Sequence, residues 1–466
     1  MTSFHNVWQI ERETQNRVID RLQHNLGYTY LGDWTDRPNN SNIEETLLRA
    51  FLEKKYPDVL VNKAIDEFCK TANDESKSLY DRNKEVYQSL RYGIKVREEI
   101  GENKQTVWLI GWKNPQNNHF AFAQEVTITG KHDKCPDIVL YVNGIALGVL
   151  ELKRSKITVS EGIRQNLDNQ KKDFIQHFFS TIQLVMAGND TQGIRYGTIE
   201  TPEKYYLERK EPSQVEHLLH KHLIQLCEPT RLLELIHDFV IFDAGTKKLS
   251  RHNQYFWVKA SQEYLRKREG GIIRHTQWSG KSLTMVWLAK WIRENIANSR
   301  VLIITDREEL DGQIEQVFAG VSEELYRTKS GKDLVAKLND WSPWLIGSLV
   351  HKFGTKWWDD KDEFLKEIQQ SLTKDFKAKG DMYVFVDECH RTQSGKLHDA
   401  MQAILPNAVF VWFTGTPLLK KDKQKSIEVF GRYIHTYKFD EAVRDEVVLD
   451  LRYEVRCRFP SGCVHQ

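Results

Sequence analysis

A chain of 466 residues is too long for one compact core, so its 40% apolar content and 13 tryptophans must be shared among two or more domains. Lys and Arg number 67 against 65 Asp and Glu, a net charge of +2 that lends no overall support to nucleic-acid binding and leaves it to local basic stripes. No apolar run approaches the roughly 20 residues that span a bilayer, Met1-Thr2-Ser3-Phe4-His5 begins no signal peptide, and the six cysteines form no CxxC pair and no regular spacing; neither a zinc site nor a disulfide framework is indicated, and a cytoplasmic protein with reduced thiols is expected.

The first hundred or so residues carry apolar side chains at helical spacing, notably Thr14 to His24 and Asn42 to Leu52. The period then changes to β-rich runs at Thr106 to Trp112, His119 to Thr129, Asp137 to Asn143 and Ile145 to Lys153, punctuated by Asn114-Pro115 and Asn143-Gly144. A helix is expected from Val159 to Phe179 and a strand from Thr181 to Met186. Glu211-Pro212-Ser213 and Glu228-Pro229-Thr230 open two more helical stretches, and the apolar pattern is interrupted, as at a domain boundary, near Phe242 to Leu249. Beyond it, Gly270 to Ile273, Val301 to Thr305, Trp344 to Ser348, Met382 to Val386 and Val409 to Thr414 read as buried strands with helices between several of them. Strands of that kind predict a parallel sheet and an α/β fold class.

A phosphodiesterase that uses Mg²⁺ needs two or more carboxylates for the hard cation and gains from a lysine beside the attacking water or the phosphate. Asp137, Glu151 and Lys153 are such a set. Glu151 and Lys153 stand two apart on one strand and share a face, among the apolar Val149, Leu150 and Leu152. A two-residue turn at Asn143-Gly144 sets Asp137 opposite Leu150, on the other face from Glu151. Only an odd-length loop or a β-bulge brings the carboxylates together. Composition alone leaves a purely structural reading of these residues open. Glu44 and Glu45, on an early helix, are further candidate carboxylates, set against the plainer reading of a solvated helix face.

His275-Thr276-Gln277-Trp278-Ser279-Gly280-Lys281-Ser282 follows a strand and precedes the apolar helix Leu283 to Ile292. In that context backbone N–H groups and a helix N-terminus cradle phosphates, with Lys281 reaching the β/γ oxygens and Ser282 binding Mg²⁺. The general pattern has Gly at position 275, and the Trp278 indole is expected to crowd backbone that must approach the ligand. Val384-Phe385-Val386 then delivers Asp387-Glu388-Cys389-His390 to the sheet edge. There Asp387 would hold Mg²⁺ through water and Glu388 would polarise the attacking water.

Pro136-Asp137, Asn143-Gly144 and Glu151-Leu152-Lys153 resemble the PD-(D/E)xK nuclease fold of the restriction subunit of type I restriction enzymes. That family's Gln-x-x-x-Tyr element is half present: Gln165 matches, and Asn169 stands at the Tyr position. The phosphate loop and Asp387-Glu388-Cys389-His390 resemble the RecA-like motor of superfamily 2 helicases, supported by Thr305-Asp306-Arg307, Thr414-Gly415-Thr416-Pro417 and Arg251-His252-Asn253-Gln254. The family tolerates His at position 275 but has Gly where this chain has Trp278.

The resemblance implies a nuclease domain at 1–240, a first RecA-like domain at 241–456 and an atypical tail at 457–466. It assigns metal binding to Asp137, Glu151, Ser282 and Asp387, and ATP contacts to Gln254 (adenine), Ser279, Gly280, Lys281 and Ser282. It further implies action on double-stranded DNA together with methylation and specificity subunits. A second RecA-like domain, also implied, has no room in the ten residues after Arg456, so a truncated product with an incomplete motor is expected. Two other readings stay open at this point: a helicase-nuclease of DNA repair, and an inactive remnant that binds DNA or nucleotide.

Overall fold

The computed structural model describes residues 12–99, 101–276, 279–305, 308–320, 323–349, 368, 370–372, 376–387, 401–415 and 430–448. Gln277, Trp278, Asp306, Arg307, Glu388, Cys389, His390, Thr416, Pro417 and the tail at 457–466 lie outside them. Chain contacts divide the protein into two bodies, one formed by 1–258 with 289–291 and 312–325, the other by 259–288, 292–311 and 326–466.

The first body opens with a helix at 12–20 that passes into a π turn, Arg21–Asn25, and strand β1, Thr29–Asp33. Helices α1 (Glu45–Leu52), α2 (Asp58–Ala72) and α3 (Leu79–Tyr92) follow, then the hairpin β2 (Ile94–Val96) and β3 (Gln105–Val107). Helix α3 starts where the Ser78 hydroxyl accepts the Asp81 N–H at 3.1 Å and stops at Gly93, whose φ of 71° no side chain adopts easily. The sheet continues with β4 (Phe120–Gln124), β5 (Ile138–Val142), β6 (Ile145–Leu152), helix α4 (Val159–Asn169), β7 (Leu184–Asn189), β8 (Gly193–Gly197) and β9 (Leu207–Glu208). Helices α5 (Leu218–Cys227) and α6 (Pro229–Phe239) and a hairpin of β10 (Val240–Asp243) and β11 (Thr246–Leu249) come next. The seven main strands lie in the order β1-β4-β5-β6-β7-β8-β9, parallel only at β1/β4 and β6/β7. Every residue of β5 and β6 is buried, so both faces of the sheet's centre are covered.

The helix expected from Val159 to Phe179 ends at Asn169 instead. Val159 and Ile163 pack on Ala187, whereas Ile175, Phe178 and Phe179 belong to a separate core cluster with Trp34, Val139 and Tyr141. One straight helix cannot serve both clusters, and the chain breaks into short turns between them. Asn83 fixes the far end of this break: its Nδ2 lies 2.8–3.1 Å from the carbonyl oxygens of Phe179, Ser180 and Ile182. Its Oδ1 accepts the buried Lys247 Nζ at 2.8 Å.

Helix α7 (His252–Arg266) precedes a parallel sheet built from β12 (Gly271–His275), β13 (Ser299–Thr305), β14 (Tyr326–Arg327), β15 (Leu345–Leu349), β16 (Asp381–Val386), β17 (Val409–Thr414) and β18 (Tyr433–Tyr437). Helices α8 (Lys281–Asn295), α9 (Glu308–Gly320), α10 (Gly331–Leu338) and α11 (Phe439–Arg444) accompany them. The order is β14-β15-β13-β16-β17-β12-β18 and every pairing is parallel. This is the RecA-like, all-parallel second unit that the sequence predicts, with β14 and β18 added at its edges.

Candidate active site

Strands β5 and β6 meet at a two-residue turn in which Asn143 and Gly144 both have positive φ, 52° and 81°. Asn143 is fully buried: its Nδ2 donates to Leu109 O and Asn118 Oδ1, and its Oδ1 accepts from the His119 N–H. Next to the turn Val142 pairs with Ile145 and Tyr141 with Ala146, but Leu140 pairs with Gly148 and Ile138 with Leu150. Leu147 is therefore the extra residue of a β-bulge. The tight turn and the parity shift coexist, and the shifted register brings Asp137 level with Glu151.

Asp137 Oδ2 accepts the Leu152 N–H at 2.5 Å. Glu151 is completely buried, and its pKa is raised well above the carboxylate range by burial first and then by the neighbouring Asp137 charge, with Lys153 pulling the other way. Its Oε1 lies 3.4 Å from Asn169 Nδ2, while its Oε2 is buried without a hydrogen-bond donor. Gly162 of α4 presses on this face, where an added Cβ would stand 3.5 Å from Glu151 Cβ and 3.6 Å from Lys153 Cγ. Lys153 opens into a cleft of about 530 Å³ that Lys134, Arg164, Gln165 and Asp168 also line. Two carboxylates packed together in a dry site resist ionising together, beyond what the Lys153 charge offsets, and the Glu151 oxygen without a donor would suit a cation ligand. The residues present thus suit Mg²⁺ completed by water. Glu44 and Glu45 do not join them, since Arg37 grips Glu44 through both carboxylate oxygens at 3.0 and 2.6 Å and Arg49 pairs with Glu45.

In the second body Gly280 caps α8 with φ 88°, a left-handed conformation suited to glycine. Ser279 Oγ donates to Thr276 O at 2.7 Å, and Lys281 and Ser282 form the helix's first turn. Strand β17 separates β12 from β16; the pairings Arg274 with Thr414 and Trp412 with Val386 set the ends of all three strands at one sheet edge. Buried Asp387 follows β16 there, its N–H donating to Ile304 O at 3.0 Å. The carboxyl edge of a parallel sheet beside a helix N-terminus is where phosphates bind in such folds. The His275 ring is engaged with the neighbouring strand instead, its Nε2 lying 2.8 Å from His435 Nδ1 on β18, and burial lowers the pKa of both rings. Gln254 lies in the first turn of α7 within the first body, buried, with its Oε1 accepting the Arg251 N–H at 3.0 Å.

Residues 9–204 match the family described as Type I restriction enzyme R protein N terminus, and residues 253–460 match SWI2/SNF2 ATPase. A putative type I restriction enzyme MjaIXP endonuclease subunit of Methanocaldococcus jannaschii is 27% identical over 95% of this chain. The type I restriction enzyme HindI endonuclease subunit of Haemophilus influenzae is 28% identical over the same share. Its relatives are type I restriction endonuclease subunits. The chain spans 46% of the length of each. The solved structure of the ATP-dependent Type ISP restriction-modification enzyme LlaBIII bound to DNA aligns over 68% of this chain and 22% of that one, at 13% identity and a TM-score of 0.31, too low to superpose sites.

For this homologue of the restriction subunits, sequence reasoning missed two residues beside Asp137. Gln15, on the helix at 12–20, donates its Nε2 to Glu125 Oε1 at 2.9 Å and to Asp137 O at 3.3 Å. Glu125 has φ 47° and also accepts the Cys135 thiol, whose pKa burial pushes up to about 12. The apolar run His119 to Thr129 hid Glu125, because a strand pattern carries no signal of where its left-handed end falls. For Leu147 the signal did exist, in the parity of Asp137 and Glu151.

Proposed function

We propose that this chain is the DNA-cleaving and ATP-dependent DNA-translocating subunit of a type I restriction-modification system, working in the cytoplasm on double-stranded DNA with methylation and specificity subunits. The nuclease occupies residues 1–240 and the first RecA-like motor domain 241–456. The observation that carries the reading is the Leu147 bulge, which puts Asp137 level with the buried Glu151, whose Oε2 lacks a donor, while Lys153 faces the adjoining cleft. A strand that served only the core has no reason to bury a carboxyl beside a second carboxylate with one of its oxygens lacking a donor.

Asp137 and Glu151 would hold Mg²⁺, which would supply charge for the developing phosphorane and lower the pKa of bound water. Lys153 contacts the scissile phosphate or the attacking water. In the motor, Ser279, Gly280 and Lys281 hold the phosphates of ATP, Ser282 and Asp387 its Mg²⁺, and Gln254 the adenine, while Glu388 polarises the attacking water. Asp137→Ala and Lys281→Ala, each assembled with the methylation and specificity subunits and with a second RecA-like domain supplied to complete the motor, test this separately. The first should abolish cutting and spare ATP hydrolysis, and the second should abolish ATP hydrolysis. Unchanged cutting by Asp137→Ala contradicts the nuclease assignment.

A further inference from the structure

The turn that joins β7 to β8 grips two segments far apart in sequence. On one side it holds the loop that follows Lys153: Asn189 Nδ2 donates to Ile157 O at 2.7 Å, Gln192 Oε1 accepts the Val159 N–H at 2.8 Å, and Ser155 Oγ donates to Asp190 Oδ2 at 3.3 Å. Lys153 itself donates its N–H to Gly188 O, two residues before the turn, at 2.9 Å. On the other side Asp190 Oδ2 accepts Thr14 Oγ1 at 2.8 Å and Arg17 Nη2 at 2.5 Å. These belong to the helix at 12–20, whose Gln15 reaches Glu125 and the Asp137 carbonyl. His217 Nε2 stands 3.4 Å from the remaining oxygen, Asp190 Oδ1.

One mostly buried carboxylate thus joins the segment leaving Lys153 to the helix that braces Asp137, though it is bonded to neither catalytic side chain. We propose that Asp190 is a positioning residue of the nuclease, fixing the register of Lys153 against the Asp137 and Glu151 pair by clamping both segments at once. The proposal rests on the nuclease reading above. Its logic is geometric: a displacement near 1 Å at a reacting group costs about a hundredfold in rate, whereas Asp137 keeps a second tie to the hairpin, its Oδ2 accepting the Leu152 N–H at 2.5 Å, and Glu151 lies within β6 itself.

The test uses the full chain as wild type, Asp190→Ala and Asp190→Asn, with amide hydrogen exchange measured on each and Mg²⁺-dependent DNA cleavage measured on each after assembly with the methylation and specificity subunits, a supplied second RecA-like domain and ATP. Asp190→Ala should lose protection in both 12–20 and 153–159 while β5 and β6 keep theirs. Its cleavage rate at saturating Mg²⁺ should fall about a hundredfold, with the half-saturating Mg²⁺ concentration unmoved. Asp190→Asn still accepts from Thr14 and Ser155 and should recover most of both. Unchanged exchange in either segment, or a wild-type saturating rate, overturns the proposal. Should Asp190→Ala lose protection throughout, Thr14→Val combined with Ser155→Ala replaces it and must reproduce the two-segment loss. A wild-type assembly that cuts no DNA overturns the nuclease reading instead, and the exchange measurements still decide whether Asp190 clamps the two segments.

Discussion

At Glu151, burial and the adjacent Asp137 charge hold the carboxyl in its protonated form above the pH at which an exposed glutamate ionises, so the metal-free fold binds a proton that the unfolded chain releases. For a group whose pKa is raised on folding, the associated stability is fully present below the ordinary value of 4.5 and is lost as pH rises toward the folded value. Glu151→Gln removes that dependence. In chelator, the variant should melt higher than wild type at pH 8, and the two should converge as pH approaches 4.5; a wild type that melts higher at pH 8 contradicts the burial argument. Glu151 and Lys153 stood out as candidates because charged residues among Val149, Leu150 and Leu152 are hard to explain by solvation, and the alignment of Asp137 with Glu151 followed once a bulge was allowed. Gln15 and Glu125 were not legible, since their approach to Asp137 depends on a left-handed residue and on a helix more than a hundred positions away in the chain.

The β5–β6 hairpin shows what an element adds to its residues. Asn143-Gly144 announces a tight turn, and Gly144 has no alternative there, because a Cβ would meet Glu44 O at 2.6 Å. A tight turn alone puts the two carboxylates on opposite faces, so chemistry and turn geometry together demand an irregularity whose position neither specifies. Leu147 is that irregularity. Deleting Leu147 should restore the unshifted register and cost the chain its metal-dependent cleavage, while circular dichroism still reports a folded sheet. Retained cleavage in a folded Leu147 deletion would show that the bulge does not set the site. Helix α4 illustrates the opposite limit: the apolar pattern continued to Phe179, but periodicity does not say which of two core clusters a residue will join.

Across the whole molecule, the parallel second sheet was legible because strands buried on both faces read as unbroken apolar runs, whereas the two-residue β14 and the half-exposed β18 left no such run. Phosphate-loop and Asp387 signatures fell at the same sheet edge, as their order along the chain required. Nothing in the balanced net charge pointed to DNA, and that inference rests on sites rather than on composition. The central claim is that Asp137 and Glu151 form one divalent-cation site. Calorimetric titration of Mg²⁺ into the metal-free chain, wild type against Asp137→Asn, tests it most directly. The wild type should bind with proton release that depends on pH, because Glu151 must ionise to take the cation, and Asp137→Asn should lose that binding. Equal heat and equal proton release from the two proteins would contradict it.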